Sequence, residues 1–232
     1  MPYNLPDAAQ IAATDFRLNR VVASNPSRGG DYQTVELAEP LWAAQLSTAK
    51  LTPTQSGAYA ALFAKTRGGS RTVYVWDAER TRPIAYAYAA DIAFGRIGLT
   101  TRRVGVTTLR AGRSVGGWGS PWVRGVNRVA STIDTFGWTP GAQITPGDYI
   151  AFDDGPARRL HMVVEPAVAD ATGNALLTVE PPPPTRIRSV VPVETVTDKP
   201  AMEAVLSDMG KPATVDGLTS ASFVARQVIR RF

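Results

Sequence analysis

The chain contains no cysteine and a single histidine, His161, among its 232 residues. The lack of cysteine excludes disulfides, thiolate zinc sites, iron–sulfur clusters and a cysteine nucleophile. A single imidazole also excludes metal sites built from several histidines. No apolar run approaches the roughly 18–20 residues that a membrane-spanning helix requires. The N-terminal sequence MPYNLPDAAQ lacks the basic and apolar regions of a signal peptide, so we expect the protein to be made and kept in the cytoplasm.

Turn-forming residues are abundant, whereas charged residues are few. The chain has 20 glycines and 18 prolines, and charged residues make up only 19% of it. Hydrophobic residues make up 44%, which is enough to form a packed core and excludes wholesale disorder. Many turns between short strands are typical of a mainly β protein.

Alternating apolar residues near the N-terminus predict three strands of one antiparallel sheet. The first expected strand carries Phe16, Leu18 and Val22, and the second follows a turn over residues 24–31. The third has its apolar positions at Trp42, Ala44, Leu46 and Thr48.

A helix is expected over residues 53–66. Thr52 and Gln55 have the spacing of a capping box, and Pro53 occupies the first helical position. The predicted buried stripe consists of Ala58, Tyr59, Leu62 and Phe63. Gly68 and Gly69 then end the helix, and the period-two pattern of RTVYVWD predicts that it packs on one face of the sheet.

The remaining sequence suggests a discontinuous domain. Residues 85–140 have a weak apolar pattern, whereas residues 149–179 predict a three-stranded meander with a hairpin turn at Asp153-Asp154-Gly155. Pro181–Pro184 predicts a rigid connector; binding to an SH3-like domain is the alternative. We expect residues 1–84 and 188–232 to form one β domain and residues 85–187 an inserted β-rich lobe.

Candidate catalytic groups lack the neighbours that catalysis requires. His161 lies in the middle of an expected strand with no nucleophile beside it. Asp153 and Asp154 would point to opposite faces of a strand. The glycine-rich segment 116–122 lacks the lysine of a phosphate-binding loop. We therefore predict no enzyme activity, no catalytic or metal-binding residues and no cofactor.

Tryptophans and arginines leave two further functions open. Trp118, Trp122 and Trp138 can form a stacking platform for saccharide rings or pack in a core or an interface. Arginines without any intervening acidic residue stand at positions 96, 102, 103, 110, 113, 124 and 128. They can contact nucleic-acid phosphates, but their spread over many turns favours ion pairs with protein neighbours.

The order of motifs in two blocks resembles the distal tail proteins of long-tailed (siphovirus-like) phages and related prophage tail proteins. The first block contains Gln33-Thr34, Trp42, Leu51-Thr52, Leu62-Phe63, Arg67-Gly68 and Val75-Trp76-Asp77. The second contains Pro146-Gly147-Asp148-Tyr149, Leu160-His161-Met162-Val163, Gly173 and Val179-Glu180-Pro181.

This resemblance implies a β-sandwich or barrel with one packed helix and an inserted galectin-like or barrel-like lobe. It implies a homo-hexameric ring that joins the tail tube protein to the tail tip hub or baseplate, with possible contacts to receptor-binding or fibre proteins. DNA would pass through the ring without specific binding, and the protein would be assembled in the host cytoplasm into the virion. The expected interface residues are Trp42, Trp76, Leu62 and Phe63, of which Leu62 and Phe63 should also pack against the sheet.

Two alternatives belong to other functional classes. The first is a carbohydrate-binding module on the virion that helps host attachment through Trp118, Trp122 or Trp138. The second is a small hydrolase built around His161 with Asp148 or Asp153.

Overall fold

The computed structural model describes residues 2–5, 11–26, 29, 32–80, 108–109, 113–114, 119–154, 157–187, 189–195, 199–209, 213–215 and 218–229. Strands make up 55% of the structure and helix 9%, with one helix in the described part of the chain. The prediction of a mainly β fold is therefore confirmed. Contacts within the chain divide it into two compact units.

The described elements are mostly short strands, with one helix. In chain order they are β1 (Tyr3–Asn4), β2 (Ile11–Asn19), β3 (Val22–Pro26), β4 (Tyr32–Glu36), β5 (Leu41–Thr48), α1 (Pro53–Thr66), β6 (Val73–Trp76), β7 (Thr108–Leu109), β8 (Arg113–Ser114), β9 (Gly119–Asn127), β10 (Thr132–Trp138), β11 (Gln143–Ile144), β12 (Tyr149–Asp154), β13 (Ala157–Val163), β14 (Ala167–Val168), β15 (Asn174–Glu180), β16 (Val191–Pro192), β17 (Ala201–Met209), β18 (Ala213–Val215), β19 (Leu218–Ser220) and β20 (Ser222–Gln227).

The first unit comprises the described residues of Met1–Ala78 and Glu203–Val228. Its main sheet has six strands in the order β1-β6-β17-β20-β5-β2. β1 and β6 run parallel, whereas β20 pairs antiparallel with both β17 and β5. The C-terminal strand thus lies beside a strand from the N-terminal part of the chain, as the sequence predicted. Trp42 and Leu46 of β5 are buried, so the predicted apolar face of this strand is confirmed.

The expected first strand is divided in the structure. β2 ends at Asn19 and pairs directly with β5, whereas Val22 begins β3, which pairs with β4 in a separate two-stranded sheet. The prediction of three consecutive strands in one sheet is therefore wrong. Phe16 is half-buried in β2, but Val22 is 47% exposed. The apolar pattern of Phe16, Leu18 and Val22 spans this break, because the pattern does not show where the chain leaves the sheet.

The helix has the predicted bounds because local interactions define both of its ends. The Thr52 side chain accepts a hydrogen bond from the Gln55 N–H, and the Gln55 side chain accepts one from the Thr52 N–H. Tyr59 and Leu62 are buried, and the Tyr59 ring lies 6.3 Å from that of Phe223 in β20. Ala58, expected in the buried stripe, is exposed. The helix therefore packs on the sheet through Tyr59 and Leu62.

The second unit comprises the described residues of Glu79–Met202 and Ile229–Phe232. Its sheet has the order β12-β13-β15-β10-β9-β16 and includes the predicted meander β12-β13-β15. A bridge between Ala151 of β12 and Glu194, just after β16, joins the two edges, so the sheet closes as a small barrel. Its core is formed mainly by Val123, Ile133, Trp138, Ile144, Ile150, Phe152, Val163, Leu177, Val179 and Val193.

The boundary between the units differs from the expected one at residue 188. Residues 191–194 pair with β9 and β12 of the barrel, and the first unit resumes at Glu203 within β17. Pro181, Pro183 and Pro184 of the proline run are buried. Arg128 Nη1 donates a hydrogen bond to the Pro183 carbonyl, with an N–O distance of 3.2 Å. The run is thus packed in the second unit rather than displayed as a ligand for an SH3-like domain.

Candidate functional site

The β3–β4 hairpin is an antiparallel ribbon that forms its own two-stranded sheet. Val22 lies opposite Glu36 and Ala23 opposite Val35, and the Leu37 N–H donates to the Val21 carbonyl at 2.8 Å. An isolated two-stranded hairpin is at best marginally stable in water. The hairpin is therefore a part of the first unit that a partner would stabilise.

The two faces of the hairpin differ in chemistry. Because side chains alternate along a strand and opposed residues share a face, Val21, Ala23, Val35 and Leu37 lie together on one face. We call these four residues the hairpin face. Val21 is 54% exposed, Val35 60% and Leu37 64%. Such a contiguous apolar patch is typical of a protein–protein contact.

The opposite face of the hairpin is mixed in character. It carries Val22 together with Glu36, whose carboxylate lies 3.3 Å from the Arg20 guanidinium. Both members of this ion pair are solvent-exposed, so it contributes at most about 1 kcal/mol. The apolar residues of the hairpin are therefore concentrated on the hairpin face.

An apolar groove runs between α1 and β17 in the first unit. Its apolar lining comes from Ala60, Phe63 and Ala64 of the helix and Leu206 of the sheet, and we call these four residues the helix groove. Thr66, Gly68 and Ser207 complete the lining, and the cavity volume is about 420 Å³. Ala60 and Ala64 are exposed one helical turn apart, so their small side chains leave space above Phe63 and Leu206.

The predicted interface residues occupy different environments. Trp42 is 2% exposed and its ring lies 6.4 Å from that of Phe16, while Leu62 is 6% exposed. Both side chains are core residues of the first unit, so neither has surface left for a neighbour and their assignment to an interface is corrected. Trp76 is half-buried. Phe63 is also half-buried, packs edge-on against Phe223 at 5.5 Å and lines the helix groove.

The three tryptophans proposed to bind saccharide do not form one platform in the described structure. Trp138 is 3% exposed, and its indole N–H donates to Thr135 Oγ1 at 2.7 Å, so it is a core residue and cannot stack on a sugar. Trp118 lies outside the described residues. Trp122 is half-buried between its strand partners Phe136 and Pro192.

Arg124 and Arg158 of the second unit make contacts within the protein. Arg124 forms a bidentate pair with Asp134 at 2.8 Å, and this hydrogen-bonded carboxylate raises the pKa of Arg124. Arg158 is almost fully buried and donates to Asp153, Glu194 and the Ala201 carbonyl. The arginines at positions 96, 102, 103 and 110 lie outside the described residues, as does the side chain of Arg113.

The residues considered for catalysis are engaged in structural contacts. His161 is 1% exposed, stacks on Phe152 at 5.3 Å and has Nδ1 2.7 Å from the Pro181 carbonyl oxygen. Asp153 pairs with Arg158, and Asp148 accepts the Thr145 N–H at 2.8 Å. In the described part of the chain, no three acidic, histidine or cysteine side chains are grouped to hold a metal ion. Nor does a helix there have the length and apolar character to cross a bilayer.

Sequence reasoning missed the hairpin face, although a signal for it was present. Val35 and Leu37 alternate with polar residues, whereas Val21 and Ala23 flank the apolar Val22. The alternation in β4 shows that this strand has one apolar face but not whether the rest of the chain covers that face. Protein-family models and curated protein sequences contain no match to this chain, so the resemblance to distal tail proteins rests on the order of its motifs.

Proposed function

We propose that this chain is a structural virion protein, a distal tail protein that assembles into a homo-hexameric ring at the end of a phage tail. The observation that carries the proposal is the hairpin face, where Val21, Val35 and Leu37 are each more than half exposed. Apolar side chains in such an arrangement are stabilised when a neighbouring protein removes them from water. Self-assembly supplies that neighbour.

The place of the ring in the tail comes from the sequence resemblance. In this proposal the ring joins the tail tube protein to the tail tip hub, and receptor-binding or fibre proteins attach around it. DNA passes through the ring without specific binding, and the protein acts by assembly rather than by turnover of a substrate. A mainly β chain with a helix packed on an antiparallel sheet supports the proposal, because this is the architecture that the resemblance implies.

Native mass spectrometry and negative-stain electron microscopy of the full-length protein test the proposal. We expect rings of hexameric mass for the wild-type chain. Leu37→Asp places a charge on the hairpin face and should shift the population to monomers. Val22→Asp is the matched control, because Val22 is also exposed but lies on the opposite face of the hairpin. A monomeric wild-type protein, or equal effects of the two variants, would contradict the proposal.

The position of the protein in the intact particle tests its proposed place at the end of the tail. Cryo-electron microscopy of the phage or prophage-derived particle that encodes the chain should place it at the distal end of the tail tube. Finding it in the capsid or as a monomeric fibre tip would contradict the assignment even if the purified protein forms rings.

As an alternative function, we propose that the second unit binds saccharides, because the surroundings of Trp122 favour this role. The half-buried Trp122 is flanked in the sheet by Phe136 and Pro192, and the Arg124–Asp134 pair lies on adjacent strands of the same barrel. An aromatic surface beside planar hydrogen-bonding groups suits a sugar ring and its hydroxyls. Glycan-array binding that Trp122→Ala abolishes and Val168→Ala retains would support this candidate, and an array without binding would contradict it.

A further inference from the structure

We draw no further inference here: the strongest candidate, the apolar surface formed in the first unit by the hairpin face and by the helix groove between α1 and β17, carries none because nothing in the described structure shows what covers either of them.

Discussion

Ala151 and Glu194 exchange two backbone hydrogen bonds, with N–O distances of 2.9 and 2.7 Å. This pair joins β12 to the segment after β16 and thereby closes the barrel of the second unit. The side chain of Glu194 also accepts a hydrogen bond from the buried Arg158. The same short segment therefore closes the sheet through its backbone and anchors a buried cation through its side chain.

Arg158→Met should destabilise the second unit by about 2–3 kcal/mol, because it leaves Glu194, Asp153 and the Ala201 carbonyl without their donor. The loss stays below that of a fully buried ion pair because the Asp153 side chain is 59% exposed. Urea denaturation measures the effect. Arg124→Met is the control, since it breaks the solvent-exposed pair with Asp134 and should destabilise the protein much less than Arg158→Met. Equal losses would contradict the role assigned to Arg158.

Gly173→Ala should cost about 2–4 kcal/mol of folding free energy. Gly173 has φ +80°, and a Cβ there would lie 2.5 Å from the Trp138 carbonyl oxygen. Gly57→Ala is the matched control, because Gly57 lies in α1 and an added Cβ has no heavy atom within 4 Å. This second substitution should stabilise the chain by about 0.5–1 kcal/mol. Thermal unfolding measures both effects, and transitions that shift in the same direction for the two variants would contradict this prediction.

Leu62→Ala should cost about 2–5 kcal/mol, because Leu62 is 6% exposed and its removal leaves a cavity under α1. Lys65→Ala on the exposed side of the same helix should change stability by no more than about 0.5 kcal/mol. Chemical denaturation of both variants measures the difference. A loss below about 0.5 kcal/mol for Leu62→Ala would show that the helix does not pack through this residue.

Asp170 should make stability depend on pH in the acid range. The Asn174 N–H and then the Thr172 hydroxyl hydrogen-bond its carboxylate and hold the pKa of Asp170 well below its ordinary value of 3.8. A depressed folded-state pKa stabilises the protein above the unfolded pKa, and this contribution is lost as pH falls through the folded value. The stability difference between wild type and Asp170→Asn should therefore shrink between about pH 6 and about pH 2. A constant difference across this range would contradict the prediction.

Several features of the fold follow from short-range sequence alone. The bounds of α1 were predictable because the capping box of Thr52 and Gln55 acts within one helical turn. The β12–β13 hairpin was predictable because its turn residues and alternating strands are adjacent in the chain. Trp42 was predictable as an inward-facing residue of β5 for the same reason. Each of these features depends on neighbours within a few residues.

Other features were decided only by tertiary structure. Long-range packing determined that Val21, Val35 and Leu37 of the hairpin face stay exposed while the apolar face of β5 is buried. The sequence allowed Trp138 to stack on a saccharide ring, but its burial in the barrel core excludes this role. The bridge between Ala151 and Glu194 joins segments that are distant in sequence. The sequence by itself determined local conformation and the polarity of each face, and the tertiary structure determined which faces are covered, because burial depends on contacts between distant segments.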